Sequence, residues 1–320
     1  MKRYNNLFEQ IISEENMHLA YFKTRKGKRS SHSYLDFKEY AMLHLRELRE
    51  ELEAGMYHVS KYRDFYIYDP KKRLISALPF RDRVVQHALN NVLEPIFDAS
   101  FLPYTFACRP GKGTHAGVKH IQSSIRKYGS KYFLKIDLQK YFPSTWRPGL
   151  YKKVDHKIKC KKTIDLMERI VPREGFGIKI GSLSSQLNAN INGTYIDRFV
   201  HEEIKPDAWA RYMDDVILLD SNADLLRRAK SEIEQIVDEK MKMQFSKWSI
   251  ASTKRGVNFL GYRIWSTHKL LRKQSVIKAK KRMKAITDDE EMQRFLGAWL
   301  GHARWADVHN LLESMEVRVC

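Results

Sequence analysis

The sequence predicts an α+β protein in which a small antiparallel sheet is embedded among helices. Two kinds of segment carry this prediction. Short apolar runs of strand length, such as Tyr132–Leu138 and Ala210–Leu219, stand apart from long stretches with helical spacing. The run Ala210-Arg211-Tyr212-Met213-Asp214-Asp215-Val216-Ile217-Leu218-Leu219 also puts two adjacent carboxylates between apolar shoulders, which reads as a buried hairpin. Burying one isolated carboxylate costs several kcal/mol or forces it to take up a proton. Two side by side repel each other as well. A divalent cation relieves both problems, and oxygen-only ligands favour Mg²⁺.

Composition narrows the classes. The 320 residues suffice for one large core or two to three subdomains. Lys and Arg number 58 against 38 Asp and Glu, a net charge of +20, which suits a polyanionic partner, most simply nucleic acid. Hydrophobic content of 43% excludes general disorder. Cys108, Cys160 and Cys320 are too dispersed for a zinc pair, and their odd number argues against a disulfide framework. With no apolar signal core and no run of about 18 apolar residues, the expectation is a cytoplasmic protein without a membrane partner.

Taken in order, residues 4–23 read as a helix with Leu7, Phe8, Ile11 and Ile12 on one side. A basic loop, 25–30, is either a solvated face or a phosphate contact. A second helix is predicted over 34–54, carrying Ala41, Leu45, Leu48 and Leu52 and ending at Gly55. Residues 61–78 read as a hairpin with its turn at Asp69-Pro70-Lys71-Lys72. Its cationic tip, with Lys71 and Arg73, suits a triphosphate: Arg offers a planar fork and Lys a point charge. Exposed hairpins carry such residues without a ligand too. Pro79 opens a helix through Phe97 in which His87 reads as a core or capping histidine.

The stretch Phe106–Gly117 is a loop entering a helix, where amides can bind phosphate, but it lacks Walker spacing. His115 is a helix N-terminal residue first. The strand Tyr132-Phe133-Leu134-Lys135-Ile136-Asp137-Leu138 ends in a carboxylate, with Phe142 shortly after it, before Pro143. A lone Asp at a strand end is normally a cap; Asp137 gains weight from Asp214, because separate strands can bring both to one metal pair. Residues 148–172 read as two helices. Gly175–Gln186 then opens a helix through Ile204, its glycines letting a planar ligand approach the backbone. Gln186 either caps that helix or bonds a base or sugar. An amphipathic helix over 222–241, a strand from Phe245 to Ile250 and a hairpin arm over 256–264 follow. The final helices carry Lys278, Lys280, Lys281, Arg282 and Lys284, then Trp299, His302, Arg304 and Trp305, which suit a duplex grip as well as a solvated face.

Four elements agree in type and order: Asp137 with Phe142, the Gly181–Gln186 helix start, Tyr212-Met213-Asp214-Asp215, and Phe259-Leu260-Gly261. They resemble the palm motifs of reverse transcriptases. The resemblance implies a right-hand polymerase fold: N-terminal extension and fingers over 1–130, interleaved with the palm; palm over 131–265; helical thumb over 266–320. It implies RNA-directed DNA polymerase activity. Asp137 and Asp214 would bridge two Mg²⁺ ions, with Mn²⁺ as a substitute, Asp215 would support them, and the Leu138 carbonyl would complete one metal site. Arg73 and Lys71 would clamp the dNTP. Phe142 would stack beneath its sugar, or pack as core, and Ile180, Gly181 and Gln186 would line the nascent pair. Tyr212, Met213, Phe259, Leu260, Gly261, Lys280 and Arg282 would hold primer and template, though Tyr212 and Met213 serve equally as packing.

Within that family, Ile180-Gly181-Ser182-Leu183-Ser184-Ser185-Gln186 is most similar to the enzymes of diversity-generating retroelements. Intron and retron enzymes usually have Gln before the glycine and Ser-Pro at the end. Leu74–Ala77 and the stretch Gly261–Trp265 look the same way. This resemblance implies copying of a template-repeat RNA into cDNA with misincorporation opposite adenine (mutagenic retrohoming), aided by a small basic oligomeric accessory variability determinant protein. The alternatives are an intron-like or retron reverse transcriptase, or a catalytically silent RNA-binding scaffold.

Overall fold

The computed structural model describes residues 3–68 and 71–315. Asp69, Pro70 and Cys320 therefore lie outside the described residues. The chain condenses into two compact units, each discontinuous in sequence: residues 1–102, 138–196 and 235–244 form one, and 103–137, 197–234 and 245–320 the other.

The first unit is mainly helical. The expected helix over 4–23 is two helices, Phe8–Ile11 and Glu14–Thr24, because Ser13 interrupts it and its Oγ accepts from the Asn16 amide at 3.3 Å, an N-cap. The expected 34–54 helix likewise breaks at Tyr40 (φ −124°, ψ 41°) into His32–Glu39 and Ala41–Glu53. These pack around the Phe80–Asp98 helix, with Tyr21, Tyr34, Phe37 and Phe80 rings 5.1–6.4 Å apart. Burial pushes His87 on that helix down to about 4, so it is neutral at physiological pH, as a packed histidine should be. Strands β1 (Arg63–Ile67) and β2 (Arg73–Ala77) form the exposed hairpin, in the register Ile67 opposite Arg73. Helices Arg147–Lys157 and Lys161–Ile170 and most of Leu183–Phe199 also belong to this unit.

The second unit holds the sheet. Strands β3 (Tyr132–Leu138), β4 (Ala208–Tyr212), β5 (Asp215–Asp220) and β6 (Phe245–Ser252) lie in the order β4-β5-β3-β6. The predicted carboxylate hairpin is β4–β5, antiparallel, with Tyr212 opposite Asp215. The 256–264 arm proves to be a whole hairpin, β7 (Val257–Phe259) and β8 (Tyr262–Ile264), extended by β9 (Lys269–Leu271). Leu260 (φ +50°) and Gly261 (φ +91°) turn the chain there, which is why no single strand runs through. Phe106, Val118, Ile121, Phe133, Ile217, Leu219, Phe259 and Tyr262 share one core with Ala303 and Leu312 of the last helices. Among the described residues no helix is long and apolar enough to cross a membrane. Among the described residues, neither Cys108 nor Cys160 forms a disulfide.

One ion pair underlies the hairpin. Arg211, on β4, is fully buried, and its guanidinium grips Asp197 with both ends: Nε to Oδ1 at 2.6 Å, Nη2 to Oδ2 at 2.7 Å. A third contact, Nη1 to the Met213 carbonyl at 3.3 Å, reaches into the turn. Its backbone is fixed too, donating to Tyr104 O and accepting from the Phe106 amide, both at 3.0 Å. Removing one member strands the other's charge, so Arg211→Ala should lower unfolding free energy by about 3–5 kcal/mol. The paired replacement Arg211→Met with Asp197→Leu should recover most of it, as read from urea midpoints.

Candidate active site

The three carboxylates come together at one end of the sheet. Asp137 near the end of β3 lies directly opposite Asp215 at the start of β5, and Asp214 precedes Asp215 in the turn. A hairpin with a two-residue loop wants positive φ at the first loop position, usually from glycine. Here Met213 takes it, at φ +53°, with its side chain buried. The turn is thus strained, and the Arg211 contact to Met213 O helps hold it.

Two residues absent from the sequence expectations shape the electrostatics. Lys135 lies two positions before Asp137, on the same face of β3, and its Nζ donates to Asp215 Oδ2 at 3.0 Å and to Asn258 O at 2.9 Å. Ser246 on β6 donates its hydroxyl to the Asp137 carboxylate and lies 3.1 Å from the Asp137 carbonyl. Lys135 was legible: it is a lone cation in an apolar strand, at the two-residue spacing that puts it beside Asp137. Ser246 and Asp197 carry no such signal, since only the fold brings them to Asp137 and Arg211.

Asp215 shows the stress of this arrangement. Its side chain is 20% exposed, and burial pushes its carboxyl up to about 6. Lys135 pulls it back down, while Asp214 and Asp137 add repulsion. Oδ1 of Asp215 is buried and has no hydrogen-bond partner. One lysine against three carboxylates leaves the site short of positive charge, and its hard oxygen donors fit Mg²⁺. Among the described residues, no three His, Cys, Asp or Glu side chains close around one ion position. Mg²⁺ seldom needs such a cage, because one or two carboxylates, water and substrate phosphates complete its shell. Leu138, whose carbonyl was the further expected ligand, ends β3 with its side chain buried.

The residues expected around the nucleotide lie in the other unit and are partly assembled there. The Ser76 amide of β2 donates to the Ile180 carbonyl at 2.8 Å. Gly181 follows at φ +105°, where an added Cβ would come within 2.8 Å of Ser76 O and 2.9 Å of the Ile75 side chain. The strand that begins with Arg73 is thus bonded to the Ile180–Gly181 segment. Arg73 and Lys71 are exposed, and Lys72 sits 4.4 Å over the Tyr66 ring. Phe142 is half-buried in the short helix Tyr141–Ser144, and its carbonyl accepts from Ile178 N at 2.9 Å. Gln186 is not the helix cap. Gln86 takes that role, its Oε1 accepting from Leu183 N and its Nε2 donating to Ser182 Oγ, both at 2.9 Å, which leaves Gln186 exposed.

The primer and template candidates divide. Tyr212 is half-buried beside the turn, while Phe259 has no exposed surface and contributes packing, leaving Leu260 and Gly261 at the β7–β8 turn. Lys280 and Arg282 are exposed on the Lys273–Ala285 helix, and Arg282 pairs with Glu291. Of the other residues expected in the thumb, His302 is bonded to Tyr262 OH at 2.8 Å, and Trp305 stacks on His115 with ring centres 4.1 Å apart.

An antiparallel sheet presenting paired carboxylates at a strained hairpin, set among helices, defines a right-hand nucleic-acid polymerase. Residues 68–264, more than half of the chain, match the reverse transcriptase (RNA-dependent DNA polymerase) family, and the chain belongs to it. Its enzyme class is therefore RNA-directed DNA polymerase. It is 23% identical to the Escherichia coli protein YkfC over 286 residues, 72% of each chain. It is 25% identical to the Lactococcus lactis group II intron-encoded protein LtrA over 170 residues, 49% of this chain and 28% of that one. In fold it is similar to telomerase from Candida albicans (TM-score 0.51, 10% identity, 78% of this chain and 55% of that one). Apo telomerase from Candida tropicalis is comparable (TM-score 0.53, 12% identity, 68% and 49%). The chain spans about half of the telomerase chains and 28% of LtrA.

Two outcomes follow from this geometry. Between about pH 4 and pH 6, folded Asp215 holds a proton that the unfolded chain has released, so its contribution to stability is full below pH 4 and is lost as pH rises through 6. Asp215→Asn should therefore stabilise the protein near pH 7 by about 1–2 kcal/mol, with the gain vanishing below about pH 4 in denaturant titrations. Gly181→Ala should cost about 1–2 kcal/mol from its backbone angle, and more if Ser76 cannot shift. Thermal unfolding of the purified variant measures it.

Proposed function

We propose that the chain is the polymerase of a diversity-generating retroelement, copying a template-repeat RNA into cDNA with errors directed to adenine positions. Asp137, Asp214 and Asp215, with the Leu138 carbonyl, would hold two Mg²⁺ ions, which when bound supply charge neutralisation at the triphosphate and a more acidic primer hydroxyl. The chain's own residues do the positioning. Lys135 fixes one oxygen of Asp215, Ser246 fixes Asp137, and Arg211 steadies the turn between Tyr212 and Asp214. Arg73, with Lys71 beside it, would clamp the triphosphate. Phe142 would exclude a 2′-hydroxyl. Little covalent work falls to the protein in such a transfer, so orientation and charge supply most of the rate.

The observation that carries the finer reading is the Ile180–Gly181 segment. Its Ile and its Ser184-Ser185 pair depart from the Gln and Ser-Pro of intron and retron enzymes, and its backbone is bonded to the strand that starts with Arg73. A segment tied to the triphosphate-binding strand is well suited to set how strictly the incoming base is judged. A cytoplasmic location, an oligomeric basic accessory protein and no membrane partner belong to the same proposal. The likeness to intron-encoded proteins favours a second reading, an intron-type enzyme with ordinary fidelity.

Sequencing of cDNA made on a defined RNA separates the two. Errors should concentrate opposite adenine, and Ile180→Gln should reduce them several-fold while other positions keep their rate. Error rates equal at all four template bases would assign the intron type. Asp214→Ala should abolish extension; product formed by that variant would remove Asp214 from the catalytic set.

A further inference from the structure

A second pocket lies within the sheet-bearing unit, on the opposite end of β4 from the carboxylates. It has a volume of ≈ 540 Å³ and is lined by Tyr104, His120, Lys127, His201, Lys205 and Trp209, among others. Trp209 is five residues before Asp214, roughly 15 Å away along an extended strand. The Tyr104 ring is the hub. Its centre lies 5.3 Å from His120, 5.9 Å from His201 and 5.2 Å from Trp209. Trp209 and most of His120 are built into the wall, while His201 is exposed and Tyr104 half-buried.

The polar groups are arranged to leave capacity over. Burial lowers His120, so it is neutral, and its Nε2–H donates to the Trp209 carbonyl at 3.0 Å. That leaves Nδ1 as the acceptor nitrogen of the ring. Lys127 and Lys205 are exposed at the pocket, one at the end of the Thr114–Tyr128 helix and the other just after the 200–204 turn of helix. The carboxylate in the lining, Asp207, already accepts from Ser130 Oγ at 2.9 Å.

Stackable rings beside two cations are the combination that holds single-stranded nucleic acid: the ring takes a base face, and the ammonium groups take the phosphate. We propose that this pocket binds one unpaired nucleotide of an RNA strand, its base on Tyr104 and His201 and its phosphate between Lys127 and Lys205. None of these residues belongs to the polymerase site. The assignment holds whichever RNA the enzyme copies, so it stands or falls separately from the retroelement reading. It gives the enzyme a hold on the RNA at a point remote from the chemistry.

The test uses the full chain and a short oligouridylate carrying 4-thiouridine. Photocrosslinks should map to residues 104–128 or 201–209. Affinity for the oligomer should fall about tenfold in Tyr104→Ala and in the surface double variant Lys127→Glu with Lys205→Glu. Extension of a preformed short hybrid at saturating substrate should keep its rate in the double variant, which also guards against misfolding of Tyr104→Ala. Free uridine monophosphate should compete poorly. Crosslinks confined elsewhere, or affinities within twofold of the parent, would overturn the proposal. Competition by the monophosphate as strong as by the oligomer would also overturn it, making the pocket a free-nucleotide site.

Discussion

Three carboxylates at one end of a four-stranded sheet repel one another, and much of the surrounding structure exists to resist that repulsion. Asp137 and Asp215 are locked opposite each other by strand register, so neither can retreat without shifting a whole strand. Lys135 compensates one oxygen of Asp215, yet the other remains buried without a partner. A site left short of positive charge in this way would be relieved by added cations.

The Arg211–Asp197 pair answers the mechanical side of the same constraint. A methionine in left-handed geometry would let the turn relax if β4 were free to slide. The two-pronged grip on Asp197, the contact to Met213 O and the flanking hydrogen bonds to Tyr104 and Phe106 remove that freedom. Burying the pair is costly in itself, so its value lies in fixing one arrangement rather than in net stability, a role buried ion pairs can play.

Much of this was legible in the chain. The hairpin with its paired Asp residues, the strand ending near Asp137 and the helix following the Gly181 segment all follow from apolar runs and their punctuation. The placement of Asp214 and Asp215 at a buried hairpin turn was readable because acids between apolar shoulders demand an explanation. Other features were not readable, for physical reasons. Ser13 and Tyr40 break helices whose apolar spacing continues across the break. Leu260 bends a stretch that looks like one strand, because non-glycine residues rarely announce positive φ. Gln86 displaced Gln186 as the helix cap by bonding Leu183 at a separation of 97 residues, a long-range event invisible to local pattern. Phe259 sits in a family motif yet is wholly buried, so motif membership did not reveal which way its ring points.

The interleaving of the two compact units has a consequence for anyone dividing this protein. The chain passes from one unit to the other at 102/103, 137/138, 196/197, 234/235 and 244/245, and the second of these junctions falls directly after Asp137. No single cut separates the units: a contiguous fragment that holds all of one also carries segments of the other. Truncation libraries and two-piece reporters built on this chain would therefore split at least one unit, wherever the cut falls.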